Sequence, residues 1–503
     1  MAAGTRRIKS VEDSIRDTDE PEHRLKKSLS GLDLTVFGVG VIIGTGIFVL
    51  TGVVARDQSG PAVAISFVIA GVVCGLAALC YAEFASTVPV AGSAYTFSYA
   101  TFGELIAWII GWDLVLELAL GAATVAVGWS GYLNQLLADI GIPLPEAIAG
   151  ETARFNIPAI VIVLVMTAVL VLGIKLSSRV TAVIVVIKVA IVLLVIAVGL
   201  FFVKAANYVP FVPPAQPAEP GATGWDAPLV QTLFGFSPGT FGWGGVMAGA
   251  AVVFFAFIGF DIVATAAEET RNPGRDLPRG ILGSLAICTV LYVAVSLVVV
   301  GMQRYSELSA DAPLAAAFSD VGLPIFAGII SIGALAGLTS VVMILMLGQS
   351  RVLFAMSRDR LLPAGLAAVH PRYGTPYKIT IITGVFVAVL AAVVPLEELA
   401  NLVNIGTLFA FVLVSIGVLV LRRTRPDLPR AFRVPLMPVL PIVSALACLW
   451  LMLNLPGDTW WRFLVWMLLG FAMYYVYGRR NSRFNTPGGR EDTAASNAAR
   501  RGS

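Results

Sequence analysis

Five ionisable residues stand inside apolar runs: Glu83 in YAEFAS, Asp113 and Glu117 in the run that follows Glu104, Lys188 in VTAVIVVIKVAIVLLVI, and Asp261 in FFAFIGFDIV. In a hydrocarbon layer each such charge costs roughly 2.5 to 3.5 kcal/mol, so these residues face a cavity or a partner and mark substrate or ion paths. Binding and proton transfer are the chemistry open to them. No GxxxxGK[ST], HExxH or GxSxG element occurs, which argues against a membrane enzyme and against ATP-driven transport by this chain alone. Asp113 and Glu117 are four apart and share a helix face. Glu117 lies about 20 Å along a helix starting near Glu104, around the midplane of a bilayer, and is a candidate for contact with a substrate. Glu83, near one end of its run, reads as structural. Asp261 either faces the site or caps a broken helix by accepting backbone N–H groups. Lys188 lies about 13 Å beyond Arg179, where its stem just reaches the interface by snorkelling unless a buried partner holds it. His23 and His370 lie in polar segments and Cys74, Cys80, Cys288 and Cys448 in apolar ones. Neither a metal site nor a disulfide framework can be drawn from them, and no cofactor and no nucleic-acid partner is expected.

Two apolar runs are interrupted in a way that suits a binding site. VFGVGVIIGTGIFVLTG, from Val36 to Gly52, carries Gly38, Gly40, Gly44, Gly46 and Gly52, and glycine weakens a helix. Close helix packing through Gly40 and Gly44 is one explanation. The other is a break near the bilayer centre, tolerated where the freed backbone groups line a cavity. A dinucleotide fingerprint fails, because Ile43 stands where the third glycine is required. In the second run, Gly259 and Asp261 interrupt the stretch from Val252.

The elements that must position these residues follow from composition. Of 503 residues, 57% are hydrophobic and 13% charged, against roughly 25% charged in a soluble protein. Apolar stretches fall near 32 to 53, 62 to 86, 104 to 133, 157 to 174, 180 to 203 and 243 to 267, then near 279 to 302, 324 to 350, 377 to 394, 399 to 421, 434 to 453 and 458 to 477. About twelve spans therefore make an all-α integral membrane protein. Positive charge stays on the cytoplasmic side. With the N-terminus inside, Arg56, Arg154, Lys204, Arg304 and Arg462 fall outside, Lys188 falls within a span, and the rest of the 34 Lys and Arg are cytoplasmic. Residues 1 to 31 then form a cytoplasmic arm rather than a cleaved leader. Residues 204 to 242 are an extracellular loop and 478 to 503 a disordered cytoplasmic tail whose basic residues could touch anionic lipid. The arginine and alanine bias points weakly to a GC-rich bacterium, hence to an inner membrane.

GVGVIIGTGIFVLTG, the block from Leu79 to Glu117, FFAFIGFDIVATAAEETRNPGRDLPRGI, and LGQSRVLFAMSRDRLLP from Leu347 to Pro363 resemble, in this order, the amino acid, polyamine and organocation (APC) transporter superfamily, specifically bacterial members of its cationic amino acid transporter (CAT) family. The resemblance covers most of the chain. It implies a five-plus-five inverted repeat, 32 to 203 and 243 to 421, with broken spans 1 and 6, followed by two further helices at 422 to 477. By matching motif, the substrate carboxylate meets the N–H groups of Thr45 and Gly46 at the break near Gly44. The α-ammonium meets the carbonyls of Ile42, Phe255, Ala256 and Ile258 beside Gly259. The substrate side chain points toward Glu117, Phe257 and Met343 or Met346. Lys188 takes the place of the sodium ion of sodium-driven relatives, bridging spans 1 and 8, with Thr339 or Ser340 as hydroxyl partners. Burial disfavours a charged amine, which makes Lys188 the candidate proton-coupling group.

The implied function is secondary active amino acid transport, with proton-coupled import of small neutral L-amino acids such as alanine expected. A cationic amino acid transporter or exchanger is the alternative within the fold, and a membrane amino acid sensor the alternative from another class. Sequence does not address oligomeric state or an accessory subunit.

Overall fold

The computed structural model describes residues 29 to 87, 95, 98 to 99, 102 to 145, 147 to 149, 153, 155 to 173, 178 to 217, 225 to 235 and 239 to 482. The expected N-terminal arm up to residue 28 and the tail from residue 483 lie outside these. Twelve helices carry the fold: α1 (Gly31–Ile42), α2 (Val63–Thr87), α3 (Glu104–Asp139), α4 (Ile157–Val171), α5 (Ser178–Gly199), α6 (Gly242–Val253), α7 (Pro273–Met302), α8 (Pro324–Arg358), α9 (Tyr377–Val393), α10 (Leu396–Thr424), α11 (Val439–Leu453) and α12 (Gly457–Met473). Seven helical stretches among the described residues are long and apolar enough to cross a membrane by length and composition, and α1, α4, α9 and α11 are shorter apolar helices. Among the described residues, strand is confined to β1 (Gln216–Pro217) and β2 (Gly239–Thr240), an antiparallel pair within the expected 204 to 242 loop. The helices run past several expected ends. α3 continues to Asp139 and α8 to Arg358, because a helix does not stop where its apolar run does.

Local sequence explains how α1 starts and stops. Ser30 accepts from the Asp33 N–H while the Asp33 carboxylate accepts the Ser30 N–H at 2.9 Å, a reciprocal cap. The helix ends at Ile43, whose ψ of 98° is extended, and helical turns resume at Gly46–Leu50 and Thr51–Val54. The sixth span is interrupted likewise. α6 tightens into a 3₁₀ turn at Phe254–Phe257, Ile258 is extended with ψ 138°, and Gly259 has φ +115° before helical turns resume at Asp261–Glu269. A side chain at Gly259 would be strained by that φ and would also press on Val41 Cγ1, at 2.7 Å. The Asp261 carboxylate accepts the Gly259 N–H at 3.2 Å, which is its capping reading.

The two interrupted spans are tied together at one end and in the middle. Leu29 and the end of the sixth span exchange backbone hydrogen bonds, Leu29 N–H to Glu269 C=O and Arg271 N–H to Leu29 C=O, both 2.9 Å. The start of the first span therefore lies beside the end of the sixth, so the two run in opposite directions. At the breaks, a Cβ on Gly46 would sit inside the Ala256 backbone. Around this pair, α7 packs on α1, α2 and α5, α8 on α3, and α10 on α2 and α3. The four cysteines are buried free thiols.

Candidate functional site

Breaking a helix inside an apolar bundle leaves carbonyls without their intrahelical donors. Long-range side chains supply several of these here. Lys188 Nζ on α5 donates to Gly40 C=O at 2.7 Å, and Tyr292 Oη on α7 donates to Ile42 C=O at 2.7 Å. Tyr132 Oη on α3 donates to Phe48 C=O at 2.7 Å. At the other break, Asn404 Nδ2 on α10 donates to Ala251 C=O and Val252 C=O, at 2.8 and 3.0 Å. One ammonium, two phenols and an amide thus hold the interrupted backbone open in a defined shape.

Between the breaks lies a small cavity of about 30 Å³ lined by Ile42, Gly44, Thr45, Gly46, Glu117, Phe255 and Ile258. Of the expected site residues, Ala256, Phe257, Gly259, Met343 and Met346 are not on its walls. Ala256 is the surface on which Gly46 packs. Phe257 belongs to an aromatic cluster, with ring centroids 6.3 Å from Phe67 and 5.3 Å from Tyr292. α8 presents Val341 and Leu345 instead of the two methionines. Positions 341 and 345 are one turn apart on the same face, and 343 points away from it. Val41, Gly121, Val125 and Val403 complete the lining. The volume is about one water's share of the liquid, so admitting an amino acid requires the broken segments to part.

The electrostatics are lopsided. Glu117 is 3% exposed and its Oε2 has no hydrogen-bond partner among the described residues. Asp113, one turn away on α3, is fully buried with both carboxylate oxygens unpartnered, and Oδ1 is 2.7 Å from where a Cβ on Gly406 would stand. Asp261 and Thr407 are the other polar neighbours of Glu117. Lys188 is fully buried and does not snorkel; its stem lies against α8, with Cγ and Cε 3.0 Å from a Cβ position at Gly337. The α8 hydroxyls expected to meet it turn to their own helix, Thr339 to Leu335 C=O and Ser340 to Gly337 C=O, both 2.7 Å. Sequence reasoning missed Tyr132, Tyr292 and Asn404. The signal for them is weak, since each is a single polar group in an apolar stretch whose partner lies on a distant span.

The profile of the amino acid permease family matches residues 29 to 474. The chain belongs to that family. This permease is 49% identical over 493 residues to a branched-chain amino acid permease, BcaP, of Bacillus subtilis, covering 96% of this chain and all of the relative. It is 47% identical over 466 residues to a methylthioribose transporter of the same organism, covering 92% of this chain and 95% of that one. It is also 40% identical over 425 residues to a vacuolar cationic amino acid transporter of Arabidopsis thaliana, covering 84% of this permease and 67% of the plant protein. The permease is therefore an all-α, multi-pass membrane protein that transports amino acids and is not an enzyme, and the resemblance to the APC superfamily and its CAT-like bacterial members holds.

Proposed function

We propose that this permease imports neutral aliphatic L-amino acids by proton-coupled alternating access around the cavity between the two breaks, from a bacterial inner membrane with both termini cytoplasmic. The observation that carries the substrate class is the lining: Val341, Leu345, Val125, Val403 and Phe255 surround a cavity whose one charged wall residue, among the described residues, is Glu117. Apolar walls favour an aliphatic side chain. The name of the BcaP relative extends the expected alanine-like range toward branched chains. In this reading Thr45 and Gly46, at the start of a helical turn, offer N–H groups to the substrate carboxylate. The Ile42 carbonyl, already accepting from Tyr292, has a second lone pair for the ammonium. Residues 32 to 203 and 243 to 421 act as the two inverted halves.

Glu117 Oε2, buried and unpartnered, supports the second reading, a cationic substrate held by a side-chain counter-ion. Competition by the twenty amino acids against labelled leucine in proteoliposomes separates the two. Inhibition by leucine, valine and alanine supports the first. Arginine uptake that exceeds leucine uptake and collapses in Glu117→Gln would reverse the order. Gly46→Val should abolish leucine binding, because the added side chain displaces the Ala256 backbone; normal uptake in that variant would move the site elsewhere.

Lys188 is the coupling group in this proposal. Protonated, it ties Gly40 of the first span to α5 while its stem lies on α8; proton loss releases that tie and shifts the balance between states. Lys188→Ala should lose accumulation driven by an imposed pH gradient in sodium-free buffer while retaining exchange of labelled for unlabelled leucine. Gradient-driven accumulation that persists in the variant excludes this lysine.

A further inference from the structure

The start of α3 and the end of α12 meet at one buried carboxylate. Glu104, the first residue of α3, accepts Tyr474 Oη at 2.9 Å on Oε1, and on Oε2 it accepts both Tyr99 Oη at 3.3 Å and the Ser482 hydroxyl. Tyr474 and Ser482 belong to the turns that follow α12, Tyr474–Gly478 and Arg479–Asn481, and Ser482 is itself buried. Tryptophans lay α12 along α3 and aim these turns at Glu104. Trp112 Nε1 donates to Trp466 C=O at 2.9 Å and Trp466 Nε1 to Trp112 C=O at 3.2 Å, with the rings stacked 4.4 Å apart, and Trp108 Nε1 donates to Gly470 C=O at 2.9 Å.

The third donor, Tyr99, comes from the connection between α2 and α3. Its ring stands edge-on to that of Tyr95, 5.7 Å away, and Tyr95 Oη donates to Asp359, just past α8, at 2.7 Å. Tyr95 is wedged between two helices: a Cβ on Gly111 of α3 would stand 2.9 Å from Tyr95 Cδ2 and 3.0 Å from Met356 Sδ of α8. This connection joins two parts of the bundle. α2 packs on α6 and α7, beside the interrupted spans, whereas α3 packs on α8. Parting the breaks from α3 and α8 at this end therefore pulls on Tyr95 and Tyr99. A carboxylate kept from water holds its hydroxyl donors more strongly than a solvated one, and Tyr474 and Ser482 stand where water would otherwise reach Glu104.

We propose that the residues following α12 are a strap that keeps the inner end of the transport path shut, and that undocking of Tyr474 and Ser482 from Glu104 precedes inward opening. The inference rests on the proposed transport reading for the path itself and for calling this end the inner one.

The test is alkylation of a reporter cysteine in the central cavity by a membrane-impermeant sulfonated maleimide. Gly121 lines that cavity, and a Cβ there meets only Leu345, at an ordinary 3.5 Å, so Gly121→Cys has room. The four native cysteines are buried, and the full-length chain without the reporter gives the background. In inside-out membrane vesicles, Ser482→Ala and Tyr474→Phe should each speed alkylation of the reporter by up to about tenfold, the factor that one hydrogen bond to a charged group supplies. In right-side-out vesicles neither should speed it, because a strap at the inner end biases the bundle rather than loosening it. An unchanged rate in both variants, or a comparable rise at the outer face, would overturn the proposal. Leucine uptake by the chain without the reporter separates the two readings: alkylation as expected with no leucine uptake refutes the transport reading and leaves the strap in place.

Discussion

Glu83 and Asp113 are both buried carboxylates, 3% and 0% exposed, yet their surroundings are opposite. Glu83, toward the end of α2, accepts both Arg422 Nε at 2.7 Å and Arg422 Nη2 at 2.5 Å, takes the Val434 N–H at 2.6 Å, and lies 3.5 Å from Arg430 Nε. It clasps α2 to the end of α10 and to the loop leading into α11. Asp113 has no hydrogen-bond partner on either oxygen among the described residues, and Glu117 lacks one on Oε2. Burial by itself therefore does not identify a functional carboxylate. The satisfied one reads as structural; of the unsatisfied ones, Glu117 lines the cavity that must change shape and Asp113 lies one helical turn from it.

The largest effect that tests this contrast is Glu83→Ala. It removes the carboxylate that accepts two hydrogen bonds from Arg422 and lies 3.5 Å from Arg430 Nε, and removing one member of a buried ion pair costs about 3 to 5 kcal/mol. A large fall in the thermal midpoint in detergent is expected, and a midpoint equal to wild type would break the contrast at its structural end. Tyr292→Phe extends the comparison to a neutral group. It leaves the Ile42 carbonyl without the phenol donor, for a loss of about 1 to 3 kcal/mol, and should weaken leucine binding by loosening the break. Unchanged stability and affinity together would show that the break holds its shape without that bond. The smallest effect is expected for Asp113→Asn. A near-isosteric change at a carboxylate with no partner to lose should shift stability by less than about 1 kcal/mol. A loss as large as that of Glu83→Ala would mean that Asp113 has a structural partner and would erase the difference between the two sites.

The spans, the two interruptions and the set of buried ionisable residues were legible in the chain itself. Each is a local property: an apolar run of bilayer length, glycine where leucine is expected, or a charge within such a run. The lengths of α3 and α8 were less legible, because both stay helical past their apolar runs, α8 burying Met356 and Ser357 near its end while α3 runs on, half-buried and then exposed, to Asp139. The cavity walls on α8 were not legible at all. That helix is apolar around its whole circumference, so no periodicity distinguishes the face of Val341 and Leu345 from that of Met343, and rotation about its axis is set by packing on α3. The same limit applies to Tyr132, Tyr292 and Asn404, which are separated from their carbonyl acceptors by 84, 250 and more than 150 positions. Sequence by itself determined where the backbone would break. Only the tertiary structure decided which side chains meet the freed carbonyls, because those donors come from other spans and reach them by the way the bundle packs.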